Sequence, residues 1–152
     1  MAIQVKAVSS KKEMKTFVRF ANRLYKGNRY YVPSMPLDDI ATFDKGHNGA
    51  FAFSEAELYL AYKEGEVVGR VAAIINNKAN ETWDVKQVRF GWIDSIDDLE
   101  VSGALLAAVI DFGRKHGMTQ IVGPRGLTDF DPEGMLMAGY DRISPMAPIQ
   151  TP

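Results

Sequence analysis

Few residues in this chain have both the type and the spacing for chemistry. His47, between Gly46 and Asn48, has the group for a general base beside a substrate opening, or it is a solvated loop histidine. His116 follows Arg114 and Lys115 and precedes Gly117, which fits the last turn of a helix, where positive charge meets the negative end of the dipole. Asp129-x-Asp131-x-Glu133-Gly134 imitates the opening of a calcium loop. Counted from Asp129, however, the twelfth position is Tyr140, where that loop needs a bidentate acid, and Asp131 before Pro132 reads better as a helix cap. Gly123-Pro124-Arg125-Gly126 is either a turn or an anion nest.

Composition removes other chemistries. The 152 residues include no cysteine, which excludes disulfides, thiolate catalysis and cysteine-ligated metals, and fits a reducing cytoplasm. Two histidines cannot build a three-histidine metal site, and no metal is expected. A net charge of −1 and a pI near 6.1 argue against nucleic acid as a partner. No apolar run reaches the roughly 18–20 residues that cross a bilayer, so no membrane partner is expected either. The charge is nonetheless lopsided. Residues 1–29 hold eight basic residues and one acid, Glu13, and are +7; the rest is −8. Lys12, Lys15, Arg19, Arg23 and Lys26 form a stripe at helical spacing. It is either an ordinary solvated face or a landing strip for an anionic partner.

These residues must be positioned by recognisable elements. Opposite the basic stripe lie Met14, Phe17, Val18, Ala21, Leu24 and Tyr25, predicting an amphipathic helix over 10–26, with Ser10 and Glu13 at capping-box spacing and Gly27 as its stop. A short strand precedes it at Ile3–Val8. Residues 27–56 form a long connection in which Pro36 could start a short helix. Strands are predicted at 57–63 and 66–76, joined at Glu64-Gly65, then a polar loop over 76–84 and a strand at 85–94. A helix over 98–116 follows, with Asp97 as its cap, then a strand at 119–122 and a short helix from Asp131 to Met137. Leu105, Leu106, Val109, Ile110, Val71, Ala73, Ile75 and Ile121 are the expected core. The fold class is α+β / α/β with a mixed sheet: one domain over 1–142, and a proline-containing tail over 143–152.

Residues 24–35 (LYKGNRYYVPSM), 56–76 (AELYLAYKEGEVVGRVAAIIN), 90–124 (FGWIDSIDDLEVSGALLAAVIDFGRKHGMTQIVGP) and 131–141 (DPEGMLMAGYD) resemble a bacterial family of acetyltransferase-like proteins with the GCN5-related N-acetyltransferase (GNAT) fold. The resemblance covers nearly the whole chain. It implies a GNAT-like mixed central sheet flanked by helices, without the last strands, and the N-terminal part of a longer protein. It also implies acetyl-CoA as cofactor, with Trp92, Ile93 and Asp94 contacting the pantetheine arm through backbone groups. Glu55, Glu57 and Tyr140 are then conceivable acid–base groups, and Tyr30, Tyr31, Phe43, Phe51 and Phe53 either line an acyl pocket or tack the long loop onto the sheet. In this fold an Arg/Gln-x-x-Gly-x-Gly/Ala turn before the long helix offers N–H groups to the coenzyme diphosphate. Here the stretch Asp94–Gly103 has one late glycine and four carboxylates, Asp94, Asp97, Asp98 and Glu100. Two like charges ~4 Å apart repel by about 4 kcal/mol at an effective dielectric of 20. Two readings follow: acyl transfer from acetyl-CoA to an amine, or a non-catalytic binding or assembly module. A homodimer through an unpaired edge of the 119–122 strand is a further expectation.

Overall fold

The computed structural model describes residues 2–143. The prolines Pro145, Pro148 and Pro152 of the expected tail lie outside the described residues. The elements are β1 (Gln4–Ala7), α1 (Lys11–Leu24), α2 (Pro36–Thr42), a single 3-10 turn (Gly49–Ala52), β2 (Ser54–Lys63), β3 (Glu66–Asn76), α3 (Asn77–Trp83), β4 (Gln87–Ser95), α4 (Leu99–Lys115) and β5 (Gln120–Val122). The five strands form one sheet in the order β1-β2-β3-β4-β5. The first four are an antiparallel meander, and β5 joins β4 in parallel after the α4 crossover.

The central strand β3 explains the layering. Its side chains alternate, so Val71, Ala73 and Ile75 face α4 while Ala72 and Ile74 face α1, and all five are fully buried. One core forms between the sheet and the Val101–Leu105–Val109–Phe112 row of α4. The other holds Phe17 and Val18 of α1 with Phe43, Ala50, Leu58, Leu60 and Leu127. Full burial of each such large side chain contributes roughly 1.5–3 kcal/mol. At the start of α1, the Ser10 hydroxyl accepts from Glu13 N at 3.1 Å, and Glu13 Oε1 accepts from the Ser10 hydroxyl at 3.0 Å and from Ser9 N at 3.3 Å.

Several expectations are corrected. The polar stretch after β3 is the helix α3, nucleated because the Asn76 side chain accepts from Ala79 N, and ended where Asp84 turns left-handed. The cap of α4 is Asp98, one residue later than Asp97, with its side chain accepting from Glu100 N. Leu106 and Ile110 are only half-buried and Ile121 is 38% exposed, because the α4 stripe that meets the sheet is centred one position away. No helix forms over 131–137. There Asp131 Oδ2 accepts from Thr128 N at 2.9 Å and Gly134 N donates to Pro124 O, folding the segment back on itself.

Pairing of β4 with β5 covers only Gln87–Arg89 against Gln120–Val122. Beyond it the chain keeps close to β4 through one bond, from Arg125 N to Phe90 O at 2.9 Å. Gly91 permits this approach, since a Cβ there would stand 2.4 Å from Arg125 O. The outer edge of β5 meets no other strand among the described residues. Our proposal that a second copy pairs along that edge predicts a dimer in static light scattering, with a mass that falls on dilution. A monomer at every concentration would remove it.

Candidate functional site

A charge inside the apolar run of β3 organises the site. Arg70 is 5% exposed, with its guanidinium on the α1 side of the sheet. It donates to Asp94 Oδ2 through Nε at 3.1 Å and Nη2 at 2.9 Å, and to the Phe17 carbonyl through Nη1 at 2.8 Å. Asp94 Oδ1 accepts a third bond, from the Tyr25 hydroxyl at 2.9 Å. Tyr25 stacks on Tyr31 with ring centroids 4.9 Å apart, and the Tyr31 hydroxyl donates to Asn22 Oδ1 at 2.8 Å. Burial, and after it the Asp94 charge, push both phenols up, Tyr25 well above the usual tyrosine range. At neutral pH the pair Tyr25 and Tyr31 therefore holds its protons.

Next to this network β4 is irregular. Between Arg70 and Ala72 of β3 its partner strand runs from Asp94 to Gly91, so β4 carries one extra residue, and Trp92 takes φ +47°. The Trp92 ring packs edge-on against Phe43 at 4.7 Å, while Ile93 packs toward α4. The kinked strand, the end of α1, the 28–34 loop and the 124–142 segment enclose a cleft of about 700 Å³. Trp92, Ile93 and Asp94 all line it, as do Tyr30, Tyr31, Val32, Pro132, Met135, Leu136 and Tyr140. Its polar groups include Asp39 and Arg70. Burial pushes the Asp39 carboxyl up from the usual aspartate range.

The other candidates from the sequence disperse. Glu55 lies on β2, 4.0 Å from His116 Nε2, and Glu57 is on the same strand; neither lines the cleft. His116 caps α4, with Nδ1 2.8 Å from the Phe112 carbonyl oxygen. His47 is exposed in a turn away from the cleft. Arg125 stands 3.9 Å from Asp129 and 3.6 Å from Glu133, so two acids of the calcium-like run face a cation of their own. Among the described residues no cluster of three or more His, Asp or Glu could hold a metal ion. The loop aromatics divide: Tyr30 and Tyr31 line the cleft, while Phe43, Phe51 and Phe53 pack in the core. Tyr25, Asp39 and Arg70 escaped the sequence reading. Only Arg70, a charge within an apolar strand, carried a signal.

The β4–α4 turn does not fit a coenzyme diphosphate. Asp98 Oδ1 accepts from Glu100 N at 2.9 Å, and Asp98 O accepts from Val101 N and Ser102 N at 3.1 and 3.2 Å. Three of the first four α4 donors a phosphate would use, those of Glu100, Val101 and Ser102, are thus taken by the protein's own Asp98. Lys63 Nζ, 3.1 Å from Asp98 Oδ2, neutralises that carboxylate and holds its pKa below the usual range, together with the hydrogen bond from Glu100.

A kinked fourth strand that leaves a short parallel fifth, with helices on both faces of a mixed sheet, defines the GNAT-like acetyltransferase fold, and the chain has it. Solved structures agree: a tandem GNAT protein from the clavulanic acid biosynthesis pathway aligns over 79% of this chain and 35% of its own, with TM-score 0.58 and 16% identity. Glucosamine-6-phosphate N-acetyltransferase from Arabidopsis thaliana aligns over 80% of this chain and 81% of its own, with TM-score 0.55 and 10% identity. A predicted acetyltransferase from Clostridium acetobutylicum, solved with acetyl-CoA, gives TM-score 0.55 at 9% identity over 80% and 79%. In sequence the chain is similar to Protein YghO of Escherichia coli, 28% identical over 137 residues, and to the bacterial ceramide synthase of Caulobacter vibrioides, 28% over 140 residues. The matches take 90% and 91% of this chain but 35% and 36% of the relatives, so it spans about a third of their length. No protein-family model matches the sequence.

Two predictions follow from the network. Arg70→Met should lower stability by about 3–5 kcal/mol, because it strands a half-buried carboxylate and strips the Phe17 carbonyl of its donor. Adding Asp94→Asn should restore part of the loss in urea unfolding; a coupling below about 0.5 kcal/mol would mean the two act independently. Asp39→Asn should stabilise the protein at neutral pH. A raised carboxyl pKa means the folded state binds more protons than the unfolded one, so stability falls as pH rises from about 3.9 through the folded value. Thermal unfolding between pH 4 and pH 7 should lose that slope in the variant.

Proposed function

We propose that this domain carries the amine-acceptor cleft of an N-acyltransferase, that the acceptor is a long-chain amine, and that the β4–α4 turn does not hold the diphosphate of an acyl-CoA donor. The observation that carries this reading is the pairing of a self-capped, acidic turn with an aromatic and apolar cleft of about 700 Å³ beside it. A cleft of that size accommodates a chain-bearing ligand, and its walls favour apolar chains over a sugar or a peptide. One of the two relatives is named a ceramide synthase, and a ceramide is a long-chain amine acylated on nitrogen. The acceptor amine arrives as an ammonium and must lose a proton before its nitrogen can attack an acyl carbon. Asp39 is the cleft carboxylate suited to take that proton, since its pKa is raised while Asp94 already accepts three hydrogen bonds. The phenols of Tyr25 and Tyr31, which hold their protons, are suited to orient the head group.

A second reading keeps catalysis with acetyl-CoA here, its pantetheine arm along Trp92, Ile93 and Asp94. The kink of β4 and its short pairing with β5 favour it. Titration calorimetry separates the two. The first reading expects no heat with acetyl-CoA below about 1 mM, where binding is weaker than roughly −4 kcal/mol. It also expects a shift in tryptophan fluorescence when a micellar long-chain amine is added, lost in Asp39→Asn. Micromolar acetyl-CoA binding would establish the second reading and overturn our account of the turn.

A further inference from the structure

We infer that the outer face of α1, with the Val32–Leu37 segment beside it, docks on an anionic phospholipid bilayer. The reason such a contact would serve rests on the long-chain-amine reading. Lys12, Lys15 and Arg19 are exposed along that face and Lys26 in the turn that follows it, and none stands within 4 Å of a carboxylate among the described residues. A solvated helix face usually interleaves both signs of charge; this one presents only positive groups, within a stretch that is +7. Glu13, its one acid, is turned back to cap the helix.

Apolar groups stand beside the charges. Asn22 accepts from Ser34 N at 3.1 Å and from the Tyr31 hydroxyl at 2.8 Å, and its Nδ2 donates to Ser34 O at 3.0 Å. Those three bonds pin the loop to the flank of α1 next to the stripe. There Met35 is 68% and Leu37 79% exposed. The apolar face of α1 itself is buried in the protein, so the contact would be that of a basic patch, whose charges meet lipid phosphates while the apolar loop side chains at its border enter the headgroup layer. Val32, 52% exposed in the same loop, also lines the cleft, so docking there would set the cleft beside the bilayer that supplies a lipid amine. No helix among the described residues is long and apolar enough to cross a membrane, and the contact proposed is peripheral.

Co-sedimentation of the whole chain with sucrose-loaded vesicles tests this without any amine. Binding is expected to vesicles containing phosphatidylglycerol and not to phosphatidylcholine alone. It should be lost when salt rises from about 0.1 M to about 1 M, as the screening length shrinks from ~10 Å to ~3 Å. Lys15→Glu/Arg19→Glu/Lys26→Glu should weaken binding at least about tenfold with an unchanged melting temperature. Met35→Ser/Leu37→Ser should weaken it severalfold at the same salt. Equal binding to both vesicle types, retention by the charge-reversed variant, or binding to an RNA but to no vesicle would each overturn the inference. Failure here with intact amine binding in micelles leaves the acceptor reading standing; the reverse pattern removes that reading alone.

Discussion

A guanidinium placed inside the central strand fixes the geometry on which the cleft depends. Burying an arginine is unfavourable unless its charge is matched and its donors are used. Arg70 meets that demand by binding Asp94, on β4, and the carbonyl of Phe17, on α1. The two elements that border the cleft are thus located relative to each other through one side chain. Tyr25 extends the same network toward the cleft mouth, because its hydroxyl reaches the Asp94 oxygen that Arg70 leaves open. A hydrophobic contact could not do this, since it has no preferred direction.

The sheet supplies the opening that the network then shapes. Four antiparallel strands pair at length, but β5 contributes three residues and stops. At the point where pairing ends, β4 takes its extra residue and Trp92 turns left-handed. The 124–142 segment covers part of this edge, held by Arg125 N on Phe90 O and made possible by the missing side chain at Gly91. The cleft therefore has a rigid wall of strand and helix on one side and, on the other, a wall of loop.

Legibility in the sequence followed the range of the interaction. The limits of β3 were readable to the residue, because its apolar run ends at Asn76 and starts after a glycine turn, and both are local. α1 was readable from Ser10, Glu13 and its stripes for the same reason. The helix α3 was not, since Asn-Lys-Ala-Asn-Glu-Thr has no apolar period and is nucleated by a single Asn76 cap. The expected helix at 131–137 failed in the opposite way. Asp131 did act as a cap-like acceptor, but the turn it closes reaches back to Thr128, and Gly134 is drawn to Pro124 by a bond no local pattern announces. Trp92, Ile93 and Asp94 were expected from resemblance as pantetheine contacts and lie along the cleft wall, whereas Asp39 and Tyr25 come to the cleft only through tertiary packing.

At the acidic turn, counting carboxylates and tracing hydrogen bonds point to different physical causes. Four carboxylates near a phosphate site suggest exclusion by repulsion. In the folded chain two of them are neutralised, Asp94 by Arg70 and Asp98 by Lys63, so the field at the turn is weaker than the count implies. In the proposed reading, occupied donors oppose a phosphate more than charge does. Three of the first four backbone donors of α4, those of Glu100, Val101 and Ser102, are already bonded, to the Asp98 side chain and to its carbonyl, and an arriving phosphate would have to break those bonds to use them. Losing that cap alone would cost about 1 kcal/mol of helix stability. A diphosphate would have to offset this before gaining anything from the helix dipole, which contributes only 0.3–1 kcal/mol at an exposed end. Neutralising Asp97 and Glu100 would leave these bonds in place, and removing the Asp98 side chain would free only the Glu100 donor, because Val101 and Ser102 bond the backbone carbonyl that any residue at 98 supplies.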